Sequence, residues 1–195
     1  MKKIIILFFV ILSQCLNAGA DTSSEIKRII VGNNGAKINI IVYESLTCSH
    51  CANFHINVFP ELKREYIDTG IAKIEFRHFP LDVAAFNASK IAQCKNDGNS
   101  DILNILYLNQ PKWIKGETIE EVNDNLKKFL ISENINVDFN KCTNNKNIED
   151  FILNDRIEGV KKFKVNATPT IIINNEKFEK SLNYKNLKKS LEKLI

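Results

Sequence analysis

The sequence has 195 residues but only five cysteines, three histidines and one tryptophan. What is scarce narrows the chemistry first. Cys48 and Cys51 are the one short-spaced cysteine pair, while Cys94 and Cys142 each stand alone, so the spacing does not assemble the four soft ligands of a structural zinc site. No apolar run reaches the ~20 residues that span a bilayer; residues 4–12 fall well short. The formal net charge is only +4, too little to imply a nucleic-acid partner. The lysines of residues 180–193 alternate with Leu182, Leu187, Leu191 and Ile195 in a helical rhythm, which reads as a solvated helix face. No internal repeat or low-complexity segment is visible.

The amino end carries an address. Lys2 and Lys3 precede the apolar run of residues 4–12, and Ala18-Gly19-Ala20 supplies a small-x-small cleavage site, so residues 1–20 read as a cleaved signal peptide. Lipid attachment at Cys15 is the alternative, with Leu12 three residues before it, but the bulky Gln14 breaks that pattern. Cleavage removes two lysines and no acid, which lowers the formal charge from +4 to +2. It leaves about 175 residues, enough for one domain with an insertion. Export also leaves an even count of four cysteines, which points to two pairs. If Cys48 and Cys51 form a redox pair they must close on each other, which leaves Cys94 with Cys142 as a structural disulfide. Two free buried thiols are the alternative.

Hydrophobic periodicity places the elements. Residues 28–31, 37–43 and 73–79 are expected strands, and Phe54, Val58, Leu62 and Tyr66 recur at spacing four in a helix that starts near His50, is kinked at Pro60 and ends at Asp68-Thr69-Gly70. Helices are expected over 84–95, 101–108, 118–131 (with a Thr118/Glu121 capping box) and 148–163. Strands over 170–173 and 176–178 flank an Asn174-Asn175 turn, and a last helix starts near residue 183. Strand, strand, helix, strand, then helices, then strand, strand, helix is an α/β thioredoxin fold with an inserted helical domain. The halves are residues 21–83 and 165–195, and the insertion is residues 84–164.

In that arrangement Cys48 follows a strand and opens a helix. A thiolate there faces unpaired backbone N–H groups and the positive end of the helix dipole, so its pKa falls. Cys48 is therefore the expected exposed nucleophile and Cys51, one turn further in, the resolving thiol. His50, between them, can donate to the Cys48 thiolate or carry positive charge beside it, and a more stable thiolate makes the disulfide more oxidising. Metal binding is the competing reading of a histidine beside two cysteines, and no further ligand pair supports it. A purely structural Cys48–Cys51 bridge would close a loop so short that it contributes only about 2 kcal/mol in the entropic model.

The segments RIIVGNNGAK, YESLTCSHC, FHINVFPELKREYIDTG, FRHFPLD, FNKC and FKVNATPT follow one another in an order that resembles the bacterial DsbA-like thiol:disulfide oxidoreductases over nearly the whole mature chain. The resemblance implies a periplasmic enzyme that needs no cofactor or metal. It would donate its Cys48–Cys51 disulfide to exported substrate proteins and be reoxidised by a membrane protein of DsbB type. It further implies a cis Thr168-Pro169 bond against the cysteines, with the Thr168 backbone pairing with the incoming peptide, and it supports a Cys94–Cys142 bridge. Two positions depart from the family pattern. Ser49 stands where proline is common, and Val42 stands where many relatives carry a buried acid six residues before the first cysteine. Glu44, two residues on and so on the same strand face, is the candidate substitute as proton acceptor for Cys51; otherwise it is an exposed strand-end charge.

His55 and His78 read as packing or surface residues, Phe54 and Phe79 as core, and Trp113 as an anchor of the helical insert or a groove-lining aromatic. Two other functions use the same fold: a disulfide isomerase or reductase, or a non-catalytic surface or antigenic binding protein. The sequence before Arg28 is too short for the amino-terminal dimerisation domain of dimeric isomerases. An intact CxxC with His50 and Pro169 argues against a vestigial site.

Overall fold

The computed structural model describes residues 25–195, so the expected signal peptide and Cys15 lie outside the described residues. Five strands, β1 (Ile29–Gly32), β2 (Ile38–Glu44), β3 (Ala72–His78), β4 (Thr170–Ile173) and β5 (Glu176–Lys177), form one sheet in the order β1-β3-β2-β4-β5. β2 and β3 pair in parallel and the other neighbours are antiparallel. The β-branched run 37–43 becomes the central strand because it can be buried on both faces. Ile38, Ile40 and Val42 join the main core, while Ile41 and Tyr43 pack on the opposite face with Phe79, Phe163, Val165 and Ile172.

Helix α1 (Ser49–Asn57) leaves β2, and α2 (Phe59–Leu62) and a π-helical turn (Lys63–Ile67) carry the chain back to β3. The expected helix is thus three segments, and the break falls at Val58, whose φ of −117° is well off the usual helical value of about −63°. Pro60 has no N–H to return to the preceding turn, so the ladder is interrupted just ahead of it. The insertion contains α3 (Val83–Gln93), α4 (Asp101–Leu108), α5 (Gln110–Trp113), α6 (Ile119–Ser132) and α7 (Phe139–Thr143), followed by α8 (Lys146–Phe163), which packs against β3. The final helix is α9 (Tyr184–Leu191). This is the thioredoxin fold with a helical insert.

Within the insert, Trp113 is fully buried and its indole N–H donates to the Leu106 carbonyl at 2.9 Å. It is an anchor of the insert. Cys94 at the end of α3 and Cys142 in α7 are joined by a disulfide, with Cα atoms 5.4 Å apart. Thr118 caps α6 by accepting from the Glu121 amide, but the Glu121 carboxylate takes the amide of Glu117 instead of Thr118, so the capping box closes one residue early. The elements α5 and α7 were not expected, because helices of four and five residues are too short to show a 3.6-residue period. Among the described residues no helix is long and apolar enough to cross a membrane.

Candidate active site

Cys48 and Cys51 stand as free thiols at the head of α1. Cys48 is the N-cap residue, in extended conformation, and its carbonyl accepts the first amides of the helix. The turn before it is fastened from several sides. The Ser45 hydroxyl accepts the Leu81 amide, and the Thr47 hydroxyl donates to Asp82, which also caps α3 through the Ala85 amide. From the insert, the buried Gln110 amide donates to the carbonyls of Leu46 at 2.7 Å and Cys48 at 3.1 Å. Gln110 therefore ties the helical insert to the backbone that presents the cysteine, a role with no local sequence signal.

The two cysteines sit in opposite environments. Cys48 is half-buried and Cys51 fully buried. The Cys51 thiol, by donating to Cys48, does most to stabilise the Cys48 thiolate; partial burial opposes this, and Thr168 and the amides of Cys51 and His50 add to it. Together they hold the Cys48 pKa at about 5. Burial, the neighbouring Cys48 sulfur and the charge of Glu44 push the Cys51 thiol far up instead. His50 contributes through its backbone, while its ring is solvent-exposed.

Opposite the cysteines, the Thr168-Pro169 bond is cis. The Cys48 thiol donates to the Thr168 carbonyl at 3.3 Å. The Thr168 hydroxyl is buried and has no hydrogen-bond partner, which leaves it available to the Cys48 sulfur. Cys48, Thr168 and Pro169 thus meet at one surface-facing corner, between α1 and the entry to β4.

Behind the cysteines, Glu44 at the end of β2 is buried, with 1% of its surface exposed. It accepts from, or donates to, Nε2 of His55 at 2.9 Å. Burial raises the Glu44 pKa, against the lowering influence of His55 and Tyr107. His55 belongs to the core, with its ring stacked on Tyr107 at 4.1 Å between centroids and tilted against Phe76 at 5.1 Å. Val42, two residues earlier on the same face, is packed in the apolar core. His78 is also buried, bonded to Gln93 and kept neutral by burial, with its pKa lowered to about 4. Phe54 and Phe79 are core residues. Among the described residues no group of three or more histidine, cysteine or acidic side chains could hold a metal.

Known proteins share this fold. The family model described as thioredoxin matches residues 24–193. The crystal structure of alpha-DsbA1 from Wolbachia pipientis is 31% identical, with a TM-score of 0.76 over 86% of this chain and 90% of that one. A Rickettsia bellii protein, named provisionally as a protein-disulfide oxidoreductase, is 30% identical over 155 residues, which are 77% of this chain and 58% of that protein. Disulfide bond formation protein D of Bacillus subtilis is 22% identical over 84% of this chain and 75% of its own. The chain spans 53% to 61% of the length of the four Rickettsia relatives it matches over most of its own length.

Proposed function

Since the chain belongs to the DsbA-like branch of the thioredoxin family, we propose that it is a thiol:disulfide oxidoreductase, an oxidase that donates its Cys48–Cys51 disulfide to exported proteins. The observation that carries this is the contrast between Cys48, half-exposed with a pKa of about 5, and a buried Cys51 three residues later whose thiol resists ionisation. A stabilised Cys48 thiolate favours the reduced protein, and so makes its disulfide a stronger oxidant.

In the proposed reaction a substrate thiolate attacks the Cys48 sulfur. The Cys48–Cys51 bond breaks, and Cys51 leaves with the electron pair and takes a proton from Glu44. The substrate is now joined to Cys48 as a mixed disulfide, its backbone paired along Thr168 beside Pro169. A second substrate thiolate attacks the substrate sulfur of that bond, closing the substrate disulfide and releasing Cys48 as a thiolate. The substrate has lost two electrons and the protein has gained them. His50, exposed in the first turn, adds a positive charge near Cys48 when protonated. Reoxidation by a membrane protein of DsbB type, and a periplasmic site of action reached through the signal peptide of residues 1–20, complete the reading.

A Cys51→Ala variant tests the intermediate. Oxidised first with a small aromatic disulfide and mixed with a reduced peptide that carries a single thiol, it should accumulate a covalent complex, cleaved by reductant, that maps to Cys48. Attachment at another residue, or none, would remove Cys48 from the exchange.

A further inference from the structure

The buried polar residues behind the cysteines are arranged with more order than a lone acid requires. His55 lies between two partners on opposite edges of its ring: Nε2 meets the Glu44 carboxyl at 2.9 Å, and Nδ1 meets the side-chain oxygen of Asn104 at 3.1 Å. The Asn104 amide nitrogen in turn donates to the Ser100 hydroxyl at 3.2 Å, with the amide oxygen toward the ring. An amide oxygen only accepts, so Nδ1 must carry a hydrogen. Nε2 is then left to share one mobile proton with Glu44. That proton can sit on the carboxyl with a neutral ring or on the ring with a carboxylate, and the buried pair is electrically neutral either way.

Two further observations say what the pair faces. The second Glu44 oxygen, Oε1, is buried without a hydrogen-bond partner, as is the Tyr107 hydroxyl. The Glu44 charge bears on both cysteines. Of the other titratable groups nearby, Tyr107 from α4 stacks on the ring, while Cys48 and Cys51 from α1 interact with the same carboxyl. From β3, His78 is the register partner of Glu44, but it is bonded to Gln93 and neutral. On the far side Asn104 is half-buried, so the line from Cys51 through Glu44 and His55 runs from the interior to the edge of the insert.

We propose that His55 and Glu44 act as one proton-holding pair for Cys51, with His55 as the positioning residue and Asn104 fixing its tautomer. This rests on the reading of Glu44 as proton acceptor given above and extends it. When Cys51 attacks a mixed disulfide at Cys48, its thiol proton passes to the pair in its carboxylate and neutral-imidazole form. When Cys51 leaves as a thiolate, the same proton returns. The pair's apparent pKa, not that of an isolated carboxyl, then sets the pH at which Cys51 works.

The test is the rate at which Cys51 resolves the Cys48–glutathione mixed disulfide, measured by quenched flow from pH 4 to 9 on the reduced full chain mixed with oxidised glutathione. In the unsubstituted protein the rate should rise with pH through a single midpoint. His55→Gln keeps a donor to Glu44 but cannot hold the mobile proton or its charge, so the midpoint should move up by about one pH unit, a roughly tenfold loss of rate below it. Asn104→Leu leaves Nδ1–H unpaired and lets the neutral ring donate to Glu44 through Nε2, so the midpoint should move down. Opposite shifts mark the pair, because a purely structural role gives no reason for them. If Glu44→Gln changes the profile but the other two variants leave it in place or move it the same way, the pairing is wrong and the Glu44 reading stands. If Glu44→Gln leaves the profile unchanged, both fall. As a check without substitution, the imidazole ¹⁵N shifts of His55 in the native protein above the midpoint should report the Nδ1–H tautomer, and Nε2–H there would overturn the proposal.

Discussion

The Cys48 sulfur lies 3.3 Å from the carbonyl oxygen of Thr168, across a sequence separation of 120 residues. One comes from the head of α1 and the other from the loop before β4, and the antiparallel pairing of β4 with β2 brings them together. The proposed exchange thiol and the backbone proposed to receive a peptide are thus set by one strand pairing. This makes the reactivity of Cys48 a direct readout of the fold.

Thiolate absorbance at 240 nm, followed from pH 3 to 9 on the reduced protein, should give one titration centred near 5 for Cys48 and none for Cys51 in that range. Alkylation at pH 6 should label Cys48 alone. A first titration above pH 8, or labelling of Cys51, would contradict the assigned environments.

The same depressed pKa implies a pH-dependent stability of the reduced protein. Cys48 titrates near 5 when folded, against 9.0 ordinarily. Its contribution is therefore complete above pH 9 and is lost as pH falls through 5. The raised pKa of Cys51 adds little slope below about pH 8, because its thiol is protonated in both states there. The oxidised protein has neither group, so subtracting its Tm cancels most other titrations. The reduced form should gain on the oxidised form steadily from pH 5 to 8, and a flat or falling difference would count against the shift.

Replacing both Cys94 and Cys142 by alanine opens a loop closed at a sequence separation of 48. The chain-entropy model gives a loss of about 4 kcal/mol, or roughly 10 °C in Tm for a chain of this size. The bridge joins two elements of the insert and touches neither Cys48 nor Cys51, so oxidation of a reduced peptide below the new Tm should persist. Differential scanning calorimetry and a peptide oxidation assay check the two halves.

Gly159→Ala is an unusual case, since alanine is the better helix former by about 1 kcal/mol. A Cβ there would lie 2.8 Å from Cε1 of Tyr43, whose ring is fully buried and whose hydroxyl accepts from Arg77 at 3.0 Å. The ring is also packed against Phe163 and Phe79, so it has little room to retreat. Overpacking of this kind costs about 1–3 kcal/mol, so urea unfolding should show net destabilisation. An unchanged or higher midpoint would mean that α8 shifts freely on the sheet.

The elements with a long period were legible in the residues. The strand 170–173 and the helix 101–108 fall where their patterns put them, and the Cys48–Cys51 spacing at a strand-to-helix junction marks the reactive corner. What could not be read depends on tertiary register. Glu44 shares a strand face with Val42, and His55 lies four residues after Cys51 on the same helix face. Each parity is visible in sequence, but their meeting at 2.9 Å is decided by how far α1 slides along the sheet. Gln110 is harder still, because a buried glutamine bonded to two distant carbonyls leaves no periodic trace.

Disulfide transfer itself is tested most directly by mixing the oxidised protein with an equal amount of a reduced dithiol peptide, quenching with acid, and weighing both by intact mass spectrometry. The peptide should lose two hydrogens as the protein gains two, with the new thiols mapping to Cys48 and Cys51 and Cys94–Cys142 intact. A peptide that stays reduced, or thiols that appear at Cys94 and Cys142 instead, would contradict the account.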